Sequence, residues 1–297
     1  LCAAVSGAGG LGLLGSGSMR PAELQAAIRQ VRAATDRPFG VNVPLFNKYA
    51  EDHMETILQE GVGIVFTSAG NPKAWTPRLK EAGCRVAHVV PAPRFARKAE
   101  AAGCDAVVCE GFEAGGHNGA DELTTFTLIP QVRAAVQVPV LGAGGIATGG
   151  GLLAALALGA DGVQVGSRFA ATAESSGHAA FKQAVVAAGE DVTRLMMKKL
   201  VPVRLLKNAF YEQVAALEAQ GADKEALAEL LGTGRSRRGM AQGDTDEGEL
   251  EIGQVAALIQ DMPPAAEVLR RILREYAAAL AASRSGGKWG TLPGADA

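Results

Sequence analysis

At 297 residues, with 48% hydrophobic and 20% charged content, the chain can bury one large core or a core with a smaller appendage. A formal net charge of −2 gives no general electrostatic reason to bind nucleic acid or an anionic membrane, and neither partner is expected. Cysteines 2, 84, 104 and 109 lack CxxC spacing and read as small apolar residues in a reducing cytoplasm, and no apolar run is long enough to span a bilayer, so the chain is expected to be neither secreted nor anchored.

Leu1 to Ala8 reads as the end of a helix, and a strand follows at once. From there, short apolar or β-branched runs alternate with longer helical patterns. The predicted strands are Leu11 to Leu14, Phe39 to Val43, Gly63 to Thr67, Arg85 to Val90, Asp105 to Cys109, Val138 to Leu141 and Asp161 to Val165. The helices between them are predicted at Pro21 to Ala34, Tyr49 to Glu60, Ala74 to Ala82, Pro93 to Ala102, Thr127 to Val136 and Gly150 to Leu158, with glycine stops at Gly61, Gly83, Gly103 and Gly159. This alternation is the signature of a parallel α/β fold. A (β/α)8 barrel needs eight strands, so seven predict a TIM barrel whose first strand is missing from this fragment; an open doubly wound sheet is the alternative.

After residue 190 only helices are expected, at Ala209 to Gln220, Lys224 to Leu231 and Gly253 to Gln260, followed by a long helix from Pro263 to Ala282. The predicted organisation is therefore a cofactor-binding barrel over 1–190, a helical substrate-side subdomain over 191–262, a helix over 263–283 that returns to the barrel, and a disordered tail over 284–297. The basic turn Arg235 to Arg238 reads as solvated surface.

Three glycine clusters could approach a phosphate. Gly7 to Gly12 matches GxGxxG but follows a helix and enters a strand, the reverse of a dinucleotide fingerprint. Gly142 to Gly150 follows a strand and opens a helix, and Gly166-Ser167 ends the next strand. Counting a missing first strand, these fall on the loops after strands seven and eight, where barrels commonly bind phosphate through backbone N–H groups; tight turns are the bland alternative. With no GKS or GKT sequence, a flavin phosphate suits them better than a nucleoside triphosphate. Asn42, Thr67, Glu110 and Gln164 stand at strand ends as candidate polar contacts, each of which could instead satisfy local backbone.

Among the histidines, His53 reads as solvated, His88 as a core or pocket residue, and His178 as a loop residue. His117 differs, because Gly115 and Gly116 precede it and Asn118-Gly119 follow, so the backbone can carry an imidazole over a ligand. No set of residues has metal-ligand spacing, and there is no nucleophile elbow.

Glu110-Gly-Phe-Glu-Ala-Gly-Gly-His117, Val140-Leu-Gly-Ala-Gly-Gly-Ile146 and Val163-Gln-Val-Gly-Ser-Arg-Phe169 together resemble the nitronate monooxygenase (2-nitropropane dioxygenase) family, which includes FMN-dependent enoyl-acyl-carrier-protein reductases. Ala8 to Gly12, Arg37 to Asn42 and Gly253-Gln254 match as well, so the resemblance covers nearly the whole chain. It implies a TIM barrel with FMN at the carboxyl ends of the strands, Gly144, Gly145, Gly166 and Ser167 at the phosphate, Asn42, Glu110 and Gln164 at the flavin, and His117 facing the substrate. The family's first strand, which also contacts the flavin, has no match here.

The resemblance leads to nitronate oxidation with O2 as the first expectation. NAD(P)H-dependent enoyl-acyl-carrier-protein reduction and quinone reduction stand next, with NAD(P)H as reductant. Glu174 to His178 and Gly253-Gln254 look closer to the enoyl reductases. A small-molecule substrate and a homodimer are expected; a flavin-free binding protein is the alternative outside catalysis.

Overall fold

The computed structural model describes residues 1–284, so the tail expected beyond Arg284 lies outside the described residues. The strands, in chain order, are β1 (Gly12–Gly15), β2 (Phe39–Pro44), β3 (Ile64–Ser68), β4 (Arg85–Val90), β5 (Ala106–Glu110), β6 (Gly116–His117), β7 (Val140–Ala143), β8 (Gly162–Gln164), β9 (Thr193–Met196) and β10 (Val203–Leu206). Seven of them form one parallel sheet in the order β1-β2-β3-β4-β5-β7-β8. The order never reverses, so there is no switch point of the doubly wound kind; the sheet is a curled half-barrel open between β1 and β8, flanked by helices, as in TIM-barrel folds.

The period of two along each strand separates two cores. Val41, Val43, Val65, Val107, Cys109 and Val140 turn outward and pack with Leu24, Ile28, Met54, Ile57, Leu79, Leu128 and Ile129 from the helices. Phe66, Ala87, Val108 and Ala143 turn inward as a layer of the barrel interior, with Leu13, Ile64, Val89, Ala106 and Leu141 beside them. Several helices begin at prolines or polar caps, such as Pro21 and Thr148, and those that precede β3, β4, β5 and β8 end at glycines with positive φ, Gly61, Gly83, Gly103 and Gly159.

Two expectations are corrected. His53 is fully buried, because Ala50, His53, Met54 and Ile57 share the inward face of the Ala50–Gln59 helix; its Nε2 lies 3.1 Å from the Met19 carbonyl oxygen. The region after residue 190 is not helical throughout. β9 and β10 form an antiparallel hairpin, and β10 also pairs with β6, so a sheet joins this region to the loop that follows β5. These strands are at most four residues long and two carry an arginine, which hides their apolar character. The helix expected over Gly253 to Gln260 is a short 3-10 segment, Gln254–Leu258.

The Ala265–Arg284 helix packs against the Gly149–Ala157 helix, where Glu275 Oε2 accepts a hydrogen bond from Gly149 N at 2.9 Å. Among the described residues no helix is long and apolar enough to cross a membrane.

Candidate active site

At the carboxyl ends of β2, β5, β7 and β8 lies a cavity of about 440 Å³. Asn42, Glu110, Gly144, Gly145, Gln164, Gly166 and Ser167 all line it, so the structure brings together the residues that the sequence proposed for a cofactor, with the exception of Thr67. Parity explains the convergence. Asn42, Glu110 and Gln164 share the inward face with Gly40, Val108 and Gly162, one residue out of step with the helix-facing valines. Thr67 is out of step with them: it is fully buried toward the helices, with its Oγ1 2.7 Å from His88 Nδ1. His88 is thereby a hydrogen-bonded core histidine, and burial pushes its pKa down to about 4.

Two polar atoms inside the cavity have no protein partner. Asn42 Oδ1 and Gln164 Oε1 are both buried and unpaired, although buried acceptors are nearly always satisfied. Both are free to accept from a ligand. In the same lining, Gly144 and Gly145 have φ values of +87° and +70°, a backbone that residues with side chains rarely adopt, so their peptide groups meet the cavity without side chains in the way. Gly166 is different: its φ is −101°, and a Cβ there would meet no protein atom within 4 Å. Neither backbone nor packing demands glycine at this point, and the bare backbone is open to the approach of a ligand. Ser167 Oγ accepts from Gly253 N at 2.9 Å and keeps its own proton free to donate. The arrangement suits a molecule with donors along its middle and an anionic end.

Sequence reasoning missed two further acids of the lining, Glu113 and Glu251. The Glu113 carboxylate accepts from Thr125 N and Thr125 Oγ1 at 2.9 and 3.1 Å, and Thr125 Oγ1 lies 2.8 Å from the Gly144 carbonyl oxygen. Thr125 thus clasps the loop after β5 to the glycine loop after β7. Glu249-Leu-Glu-Ile252 alternates acid and apolar residues, the period-two signal of a strand edge, which would have placed Glu251 on the face opposite buried Leu250 and Ile252. The lining holds no lysine or arginine. Desolvation pushes the Glu110 carboxyl up to about 7, and burial together with the neighbouring Glu251 pushes Glu249 up to about 8.

The Glu110 shift has a stability consequence. A carboxyl whose pKa is raised on folding binds its proton more tightly in the native state, so stability falls as pH rises from about 4.5 to about 7 and is level above that. Glu110→Gln in the ligand-free protein is expected to match wild type below this window. Above it the variant should be more stable by about 3 kcal/mol, taking ~1.4 kcal/mol per pKa unit. Denaturant unfolding at pH 4.5 and pH 8 measures this; equal differences at the two pH values would refute it.

His117 is not part of the lining. It is exposed on β6, paired with Val203 of β10, and its ring lies 5.4 Å from that of Phe46 on the loop after β2. It stands at the rim, next to Gly116, whose Cβ position is filled by the Glu251 carboxylate. Its place is held from behind by Arg204, which donates from Nε and Nη2 to the Phe112 carbonyl oxygen at 2.9 and 2.7 Å. His178 caps the Ala179–Val186 helix by accepting from Ala180 N at 3.1 Å.

Comparison with known proteins places this geometry. The family model for nitronate monooxygenase matches residues 1–275. The chain is 34% identical to a (3aS,4S,5R,7aS)-5-hydroxy-7a-methyl-1-oxo-octahydro-1H-indene-4-carboxyl-CoA dehydrogenase of Mycobacterium tuberculosis, across 92% of this chain and 88% of that one. It is 33% identical to a nitronate monooxygenase of Paraburkholderia phytofirmans, across 93% and 88%. Among solved structures, FabK from Thermotoga maritima superposes with a TM-score of 0.91 at 41% identity, covering 96% of this chain and 90% of that one. The chain belongs to the nitronate monooxygenase family and is an oxidoreductase.

Proposed function

We propose that the chain is an FMN-dependent oxidoreductase that reduces an enoyl thioester with electrons from NAD(P)H. The observation that carries the cofactor is the pair of unpaired buried acceptors, Asn42 Oδ1 and Gln164 Oε1, set in one cavity with a glycine cradle. FMN has donors on its ring and ribityl chain and a phosphate at its end, the complement of this lining. Asn42, Glu110 and Gln164 would hold the flavin, and Gly144, Gly145, Gly166 and Ser167 its phosphate. When bound, FMN supplies two-electron chemistry that no side chain of this cavity can perform.

For the substrate, the 41% identity to FabK and the carboxyl-CoA dehydrogenase among the relatives favour a thioester. This reverses the order in which the sequence alone ranks the reactions. Nitronate oxidation is the second reading, favoured by the family model and by the 33% identical monooxygenase.

Under either reading the chain's own residues have the same tasks. Inward Leu13 and Phe169 with Ile252 keep one side of the cavity apolar, and His117 at the rim orients the substrate or passes a proton to or from the carbon that reacts. His117→Ala is expected to leave FMN affinity unchanged and slow turnover by about 100-fold, the usual worth of a positioned acid or base. Unchanged turnover would remove His117 from the chemistry. To separate the readings, the FMN-loaded protein is mixed anaerobically with NADPH, NADH or propyl nitronate while the flavin absorbance is followed. Bleaching by a nicotinamide and recovery on adding crotonyl-CoA are expected; bleaching by propyl nitronate alone would give the second reading its place.

A further inference from the structure

A second cavity, of about 460 Å³, opens between the loop after β3 and the Pro93–Ala101 helix. Its lining is the chemical opposite of the first. Asn71, Lys73, His88 and Lys98 supply the polar groups, and Pro72 and Phe95 the apolar walls. No acid lines it, and no ion pair engages Lys73 or Lys98 among the described residues.

The neutral groups are donors too. Asn71 Oδ1 already accepts from Lys73 N at 3.1 Å, which leaves its NH2 to donate. His88 is 3% exposed, and its Nδ1 lies 2.7 Å from Thr67 Oγ1. The His88 ring lines the cavity, and its Nε2 donates there when the Thr67 hydroxyl, which also has the Ala87 carbonyl oxygen at 3.5 Å, gives its proton to Nδ1. Two ammonium groups, an amide NH2 and an imidazole N–H beside an aromatic wall make a site for an anion attached to a flat ring.

Its position relates it to the first site. Gly70, at its edge, packs so closely on Leu45 that a Cβ would stand 2.5 Å from the Leu45 Cβ. Phe46, the next residue, stacks on His117. One packed loop and one ring therefore separate the second cavity from the imidazole at the rim of the first.

We propose that this cavity binds an adenosine group that carries a phosphate on its ribose 2′ or 3′ oxygen, with that phosphate on Lys73 and Lys98 and the purine against Phe95, as the tail of a substrate that reacts below His117. Coenzyme A thioesters carry that group as a 3′-phosphate and NADPH as a 2′-phosphate. The tail's role in turnover rests on the reductase reading above; the binding itself does not.

Calorimetric titration of the FMN-loaded enzyme with adenosine 3′,5′-bisphosphate, adenosine 2′,5′-bisphosphate and adenosine 5′-monophosphate tests it. One bisphosphate is expected to bind at least about tenfold more tightly than the monophosphate, and which one identifies the source. The double variant Lys73→Ala with Lys98→Ala, on exposed positions, is expected to weaken that bisphosphate by about 30-fold and leave FMN affinity unchanged. In turnover it should raise KM for the phosphorylated substrate with kcat unchanged, and leave KM alone for a thioester or nicotinamide without the phosphate. Equal binding of all three nucleotides, or a double variant that binds as wild type does, overturns the proposal. Tight bisphosphate binding by a protein that no nicotinamide or thioester reduces or reoxidises would sink the reductase reading and leave the cavity's assignment standing.

Discussion

Gly144→Ala is expected to lower FMN affinity by about 100-fold, close to 3 kcal/mol at ~1.4 kcal/mol per decade, while leaving the protein folded. Two penalties combine. An alanine at φ +87° occupies the left-handed region, at about 1–2 kcal/mol. Its Cβ would also stand 2.6 Å from the Gly111 carbonyl oxygen and 3.1 Å from Thr125 Oγ1. The first of these is backbone, so either the loop after β5 or the loop after β7 must shift, and overpacking of this kind costs roughly another 1–3 kcal/mol. Both loops line the cavity, through Glu113 and Gly145. The strain therefore falls on the cradle itself. Gly150→Ala, in the same glycine cluster, is the control: its Cβ would meet only Thr148 Oγ1, at 3.8 Å, so flavin affinity should hold. Fluorescence titration of FMN into both apo variants measures the difference, and equal affinities would contradict the assignment of Gly144.

Arg204→Met is expected to destabilise the fold by about 3 kcal/mol and to reduce turnover without loss of FMN. Arg204 is 2% exposed, makes both of its short hydrogen bonds to the Phe112 carbonyl oxygen, and lies 5.1 Å over the Phe112 ring. Methionine keeps the volume but leaves that carbonyl without its donors, at about 1–3 kcal/mol, and removes a desolvated cation–π contact worth roughly 2 kcal/mol. Relief from burying a cation offsets part of this. The effect on turnover follows from register, since Arg204 pairs with Gly116 and Val203 with His117. Loosening β10 from the loop after β5 releases the imidazole, whereas the residues proposed to hold FMN sit on other strands and loops. Lysine should not rescue, because it can neither fork two N–H groups onto one oxygen nor stack on the ring. A thermal midpoint that does not move, or a loss of FMN equal to the loss of turnover, would show that Arg204 has another role.

Much of the barrel was legible because most of its strands are short apolar runs that pack on both faces, several of them next to a glycine. The residues of the candidate site were legible because they stand at or just beyond the ends of those strands. Where the reading failed, parity and length were responsible. The predicted third strand ended on Thr67, but β3 runs on to Ser68, and Ser68 rather than Thr67 has the inward parity of Phe66; one residue's shift moves a side chain to the other layer. Asn42 Nδ2 accordingly meets Ser68 Oγ, at 3.4 Å. β6, β9 and β10 escaped because His117, Arg194 and Arg204 break their apolar character, and Arg204 within β10 looks like a surface residue until its carbonyl partner 92 positions away is known. The same limit hid Thr125, whose importance lies in three contacts made by folding, to Glu113, Ala143 and Gly144.

Gly166 gives the most direct test of the central claim, that the cavity at the strand ends holds the phosphate of FMN. No protein atom lies within 4 Å of a Cβ at this position and its φ is −101°, so Gly166→Ala disturbs nothing in the empty protein. Apo wild type and apo Gly166→Ala are titrated with FMN by fluorescence quenching, and their unfolding is compared without ligand. One FMN per wild-type chain is expected, with apo stability of the variant equal to wild type or up to about 1 kcal/mol higher, and FMN affinity at least about tenfold weaker, ~1.4 kcal/mol or more. FMN binding of equal strength in both proteins, or no binding by wild type, would contradict it.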